Sequence, residues 1–135
     1  MKPYTPDEIA KMLVLTYGGL IRKHPVAELW NKTNFFIDDL AGTRAGITVL
    51  LKNKESIVLD VLVPNKPLKS QAAIIFHELI HVGQQLDLGW FGFSATYAWQ
   101  WMVSGFSYTK MSSRLSTLEG EAYNQEALFK ARLPK

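Results

Sequence analysis

The sequence predicts an α+β domain in which an N-terminal helix and a β-hairpin precede three further helices. Three observations predict it. Apolar residues recur at roughly helical spacing at Ile9, Leu13, Tyr17, Leu20 and Ile21. Two β-branched, apolar runs, residues 46–51 and 56–63, flank the polar stretch Lys52-Asn53-Lys54-Glu55, which reads as a hairpin turn and a small antiparallel sheet. Beyond residue 70 the pattern turns helical, in segments near 70–88, 95–103 and 116–131. A chain of 135 residues, 47% hydrophobic and 20% charged, suits one domain over residues 1–135 with a core of its own.

The elements follow in order. Thr5-Pro6-Asp7-Glu8 has the makings of a helix start, with Thr5 as cap, Pro6 in the first turn and Glu8 closing a capping box. Gly18-Gly19 weakens the end of that helix and His24-Pro25 stops it, with His24 expected on a surface turn and a short helix over 26–30. Phe35-Phe36-Ile37 is too short to classify by period. After the hairpin, Pro64 and Pro67 break the strand pattern. Ser70 can then cap a long helix that runs to about Leu88, with Gly89 as its stop.

Composition excludes several classes of function. There is no cysteine, hence no disulfide scaffold, thiol nucleophile or Cys-ligated zinc. A net charge of +3, with basic residues spread along the chain, gives no dense basic face and excludes a dedicated nucleic-acid partner. Met1-Lys2-Pro3-Tyr4 has no apolar stretch behind its basic residue, so the expected location is cytoplasmic. Residues 88–109 carry no charge and many aromatics, a length that could cross a bilayer. Gly89, Gly92 and Gly105 punctuate it, so packing into the core is the first expectation, an apolar surface that touches a membrane or partner the second, and a spanning helix the last. The oligomeric state is not legible.

One motif carries chemistry. His77-Glu78-Leu79-Ile80-His81 lies in a segment, 70–82, free of Pro and Gly. On a helix the two imidazoles leave one face a turn apart, a spacing that lets them share one Zn²⁺. Glu78 can sit beside the ion without ligating it and act as general base toward water. A catalytic zinc needs a third protein ligand. His24 is the only other histidine and lies far upstream, so a carboxylate is required. The downstream candidates are Asp87, Glu119, Glu121 and Glu126, of which Asp87 is poorly placed near the end of the motif's own helix.

The segments His77-Glu78-Leu79-Ile80-His81-Val82-Gly83-Gln84 and Glu119-Gly120-Glu121-Ala122-Tyr123 together resemble small single-domain gluzincin metallopeptidases. The resemblance covers roughly residues 70–130. It implies a minimal zincin-like fold, a peptide or protein substrate, and a third ligand on a later helix within E-x-x-A-D or E-x-x-A-N. Aligning Ala122 with that alanine makes Glu119 the implied ligand, with Glu121 as the fallback. Tyr123 then stands where an Asp or Asn commonly orients a ligating histidine. Gln84, on the same helical face as both histidines, is a further candidate to hold a ligand in place. Tyr97, Tyr108, Tyr123 and Arg114 are candidates to stabilise an oxyanion, Tyr108 foremost. In zincin-like folds an edge strand near the metal pairs with extended substrate, a task the strand over 56–63 can take. The function expected is zinc-dependent hydrolysis, most simply of peptide bonds. The alternatives are a zinc-binding interaction module without turnover, or an amidase acting on a cell-wall peptide.

Overall fold

The computed structural model describes residues 1–42 and 44–135, and these form the α+β fold that the sequence predicts. Helix α1 (Glu8–Tyr17) is capped by Asp7, whose carboxylate accepts the amides of Ile9 at 2.8 Å and Ala10 at 3.4 Å. Asp7 displaces Thr5 from the expected capping role because it lies directly before the first turn and brings a negative charge to the positive end of the helix. The buried stripe is Ala10, Leu13 and Val14, spaced i, i+3, i+4, while Ile9 and Leu20 are exposed. The stripe thus turns away from the expected Ile9 side, toward the helix that carries the motif.

A tight hairpin follows, of β2 (Leu20–Ile21) and β3 (His24–Pro25), turning through Arg22 and Lys23, both left-handed (φ 49° and 73°). His24-Pro25, expected only to stop a helix, is therefore a strand that leads directly into α2 (Val26–Asn31).

The main sheet contains β1 (Lys2–Pro3), β4 (Asn34–Asp38), β5 (Gly46–Leu51) and β6 (Lys54–Asp60), in the order β1-β4-β6-β5. β5 and β6 form the expected antiparallel hairpin, turning at Lys52-Asn53, where both residues are left-handed (φ 50° and 63°). Two features differ from expectation. β4, built on the unclassified Phe35-Phe36-Ile37, pairs parallel with β6, so the sheet is mixed. A parallel neighbour leaves no turn signal in the sequence, since its connection is long. The second hairpin strand is also internal, and the free edge on that side belongs to β5.

Helix α3 (Leu68–Val103) begins directly after Pro67, so Ser70 lies inside it rather than capping it. Its first half is buried almost all round from Ala72 to Gln85. Gly89 adopts φ 73°, ψ 162°, the left-handed residue expected of a helix stop, yet the chain re-enters a helix at once, making a kink. The second half ends in a Schellman closure: Gly105 N–H donates to Met102 O and Phe106 N–H to Trp101 O, each at 3.0 Å, with the Trp101 and Phe106 rings in contact at 4.9 Å. A short α4 (Tyr108–Ser112), which the sequence did not suggest, leads to α5 (Leu118–Arg132). Among the described residues, no helix is long and apolar enough to cross a membrane.

The core gathers α1, α2, β6, the first half of α3 and α5. Phe76 of α3 and Phe129 of α5 stack fully buried, with centroids 4.3 Å apart and planes 9° from parallel. This contact holds together the two helices that carry the site. Phe129→Ala is expected to cost about 3–5 kcal/mol through lost burial and the cavity left behind, read as a shift in the denaturant midpoint; a shift of zero would contradict this packing.

Candidate metal centre

The buried middle of α3 presents His77, Glu78 and His81, and α5 crosses it so that its first turn delivers Glu119. That turn is fixed closely. Thr117 Oγ1 accepts the Gly120 amide at 2.9 Å, and a Cβ on Gly120 would come within 1.8 Å of the Arg114 carbonyl oxygen. Only glycine fits beside Glu119, whose side chain is 2% exposed.

Both histidines aim Nε2 at a single oxygen of Glu119, from 2.7 Å for His77 and 3.1 Å for His81. Their Nδ1 atoms are held from behind, His77 by Glu126 Oε1 and His81 by Gln84 Oε1, each at 2.8 Å. The Gln84 amide is oriented in turn by its Nε2 donating to Leu118 O at 2.9 Å. A carboxylate and an amide oxygen can only accept, so each Nδ1 carries the proton. In the neutral imidazoles both Nε2 lone pairs then face the Glu119 carboxylate. Acceptors facing an acceptor, all buried, require a cation among them. Protons can fill that role, and so can a divalent ion, for which two imidazole nitrogens and one carboxylate oxygen are a fitting donor set. Ligand atoms of His77, His81 and Glu119 all lie within 4.8 Å of one another.

Electrostatics follows the same geometry. Burial alone would lower the His77 pKa, but its hydrogen bonds to Glu119 and Glu126 outweigh this and raise it to about 10. His81 is also raised, by Glu119 against its burial. Burial opposes the Glu119 charge, but the two imidazoles hold its carboxyl well below the usual range. The raised His77 stabilises the metal-free fold fully below its ordinary value of 6.5, and this contribution is lost as pH rises through about 10. The lowered Glu119 contributes fully above its ordinary 4.5 and loses this progressively as the pH falls below that value. Metal-free protein is therefore expected to lose thermal stability between pH 7 and about 10. The stabilisation added by a saturating divalent ion should widen over the same range, as protons compete less for the histidines. Calorimetry of stripped and loaded protein checks this; a gap that narrows with pH would contradict it.

Around this core lies a cavity of about 1060 Å³, walled in part by Gly46, Ile47, Thr48 and Val49 of β5. Thr48 Oγ1 donates to Glu78 Oε1 at 2.8 Å, with the Glu78 main-chain carbonyl at 3.0 Å. A Cβ on Gly46 would meet the Glu78 side chain at 3.2 Å, so the edge strand runs close over the motif. Among the described residues no cation forms a salt bridge with Glu78. Tyr97 donates its hydroxyl to Glu119 Oε2 at 2.8 Å and accepts from Arg44 Nη2 at 3.4 Å. Burial, and then the Glu119 charge, push the Tyr97 pKa up. Tyr108 and Tyr123 share a hydroxyl hydrogen bond of 2.7 Å, and the Tyr123 ring meets His77 edge-on at 4.6 Å.

Of the residues singled out in the sequence, His77, Glu78, His81, Gln84, Glu119, Glu126, Tyr97, Tyr108 and Tyr123 come together here. Glu121 does not. Its carboxylate accepts from Arg22 Nη1 at 2.8 Å, in a separate cluster where Arg22 and His24 also hold Asp87. Arg114 is exposed and is not among the cavity-lining residues.

Glu126, not Tyr123, supplies the acidic partner of His77. Its signal was its position seven residues after Glu119, on the same face of α5. Thr48 and Arg44 reach the site from a distant part of the chain, and nothing local in the sequence marks them. Replacing Glu126 by Gln should weaken divalent-ion binding by roughly 10–100-fold, as is usual for a group that orients a ligating histidine; competition with a chelator of known affinity measures it, and unchanged affinity would remove Glu126 from the site. No protein-family model matches the chain, nor does any curated protein or solved structure, so the functional reading rests on this geometry.

Proposed function

We propose that the chain is a zinc-dependent hydrolase of the gluzincin type, acting on peptide bonds. One observation carries this reading: two helical imidazoles converge on one buried carboxylate, with a second carboxylate, Glu78, beside them in an open cavity. His77, His81 and Glu119 would hold the ion. When bound, it supplies Lewis acidity that polarises a carbonyl and makes a coordinated water more acidic.

The chain's own groups do the rest. Glu78 Oε1, steadied by Thr48, takes a proton from the attacking water and returns it to the leaving amine. Gln84 and Glu126 keep both imidazoles in the tautomer that turns Nε2 inward. The Tyr108–Tyr123 pair has two hydroxyl protons and uses one between them, which leaves the other to meet a developing oxyanion. The free edge of β5 is available to an extended peptide as an added strand, passing Thr48 and so Glu78.

A site closed by four protein ligands would favour a non-catalytic module. Glu121 is engaged by Arg22, and among the described residues the group numbers three, which favours an open site. The test is hydrolysis of a peptide mixture by zinc-loaded protein, read by mass spectrometry. Cleavage that a chelator stops and zinc restores supports the proposal. Stoichiometric zinc without cleavage would make the chain a metal-binding module.

A further inference from the structure

We propose that the outward face of α3 beyond Gly89, with the turn that ends it, docks on an anionic lipid surface. Phe91, Ala95, Trp99 and Met102 follow one another at i, i+4, i+8 and i+11 and form an outer stripe, with Phe91 88% and Trp99 61% exposed. Phe93 and Tyr97, on another face, line the metal cavity. The helix is thus apolar both toward the site and toward solvent, where a solvated helix ordinarily carries charge. Phe106, 61% exposed at the closing turn, adds to the apolar surface.

Charge and residue type identify the occupant. Residues 88–118 contain no acid, and their only charges are Lys110 and Arg114, both exposed. Three of the four tryptophans, Trp90, Trp99 and Trp101, lie here and are exposed. Aromatic rings of this kind settle at the headgroup level of a bilayer, and flanking cations are drawn to anionic headgroups. A second copy of the chain would meet this face with the same two cations and no acid, so its charge would go unanswered. The helix is not long and apolar enough to cross a membrane, so it lies on the surface. Trp101 and Tyr108, which line the cavity, adjoin this face and would bring the cavity mouth beside the headgroups.

The full chain is sedimented with vesicles of phosphatidylcholine alone and with vesicles containing phosphatidylglycerol, while tryptophan emission is followed. Co-sedimentation with the anionic vesicles and a blue shift are expected. Replacing both Phe91→Ser and Trp99→Ser, at exposed positions, should weaken binding by on the order of 100-fold, about tenfold for each ring removed from the interface. Lys110→Gln should weaken it about fivefold on anionic vesicles only. Protein left in the supernatant with both vesicle types would overturn the proposal. So would binding indifferent to phosphatidylglycerol, a double variant that binds as well as the parent, or a dimer that the double substitution dissolves.

Discussion

Glu78→Gln is expected to lower the rate of peptide hydrolysis by about 10²–10⁴-fold while leaving the bound divalent ion in place. The amide is isosteric with the carboxylate and can still contact Thr48, so the wall formed by β5 over the motif is kept. What is lost is a cavity carboxylate that can take a proton without surrendering a ligand or the orienting partner of one. Steady-state kinetics and metal analysis on one preparation separate the two effects. Turnover at the parent rate would remove Glu78 from the reaction, and loss of metal together with turnover would make it a ligand.

Glu119→Gln is expected to reduce divalent-ion affinity by more than the roughly 10–100-fold of an orienting partner such as Glu126, because it removes a charged donor from the set itself. Both imidazole Nε2 atoms share that one carboxylate, and Tyr97 holds its other oxygen. Glu121→Gln is expected to leave metal affinity unchanged, since that side chain belongs to the Arg22 cluster. Chelator competition on the two variants decides between acids two residues apart. The reverse ranking would move the centre to Glu121 and contradict the packing of α5 described here.

Much of this was legible because it is local. The spacing of His77 and His81 fixes a shared helical face, and the polar stretch Lys52-Asn53-Lys54-Glu55 announces the β5–β6 hairpin, although only its first two residues form the turn. The ambiguity between Glu119 and Glu121 was not local. A helix places residues i and i+2 on different faces, and which face meets α3 depends on the close approach of Gly120 to Arg114 and on the stacking of Phe76 with Phe129. The parallel pairing of β4 with β6 and the arrival of Thr48 at Glu78 are likewise tertiary facts. Hairpin signals do not tell which strand gains another neighbour, so the edge expected over 56–63 lies on β5 instead.

Diffraction at the zinc absorption edge, from crystals grown with zinc, tests the account most directly. One anomalous peak is expected within about 2.0–2.2 Å of His77 Nε2, His81 Nε2 and a Glu119 oxygen, with no fourth protein side chain on the ion. A peak elsewhere, a fourth protein ligand closing the site, or no peak among these three side chains would contradict it.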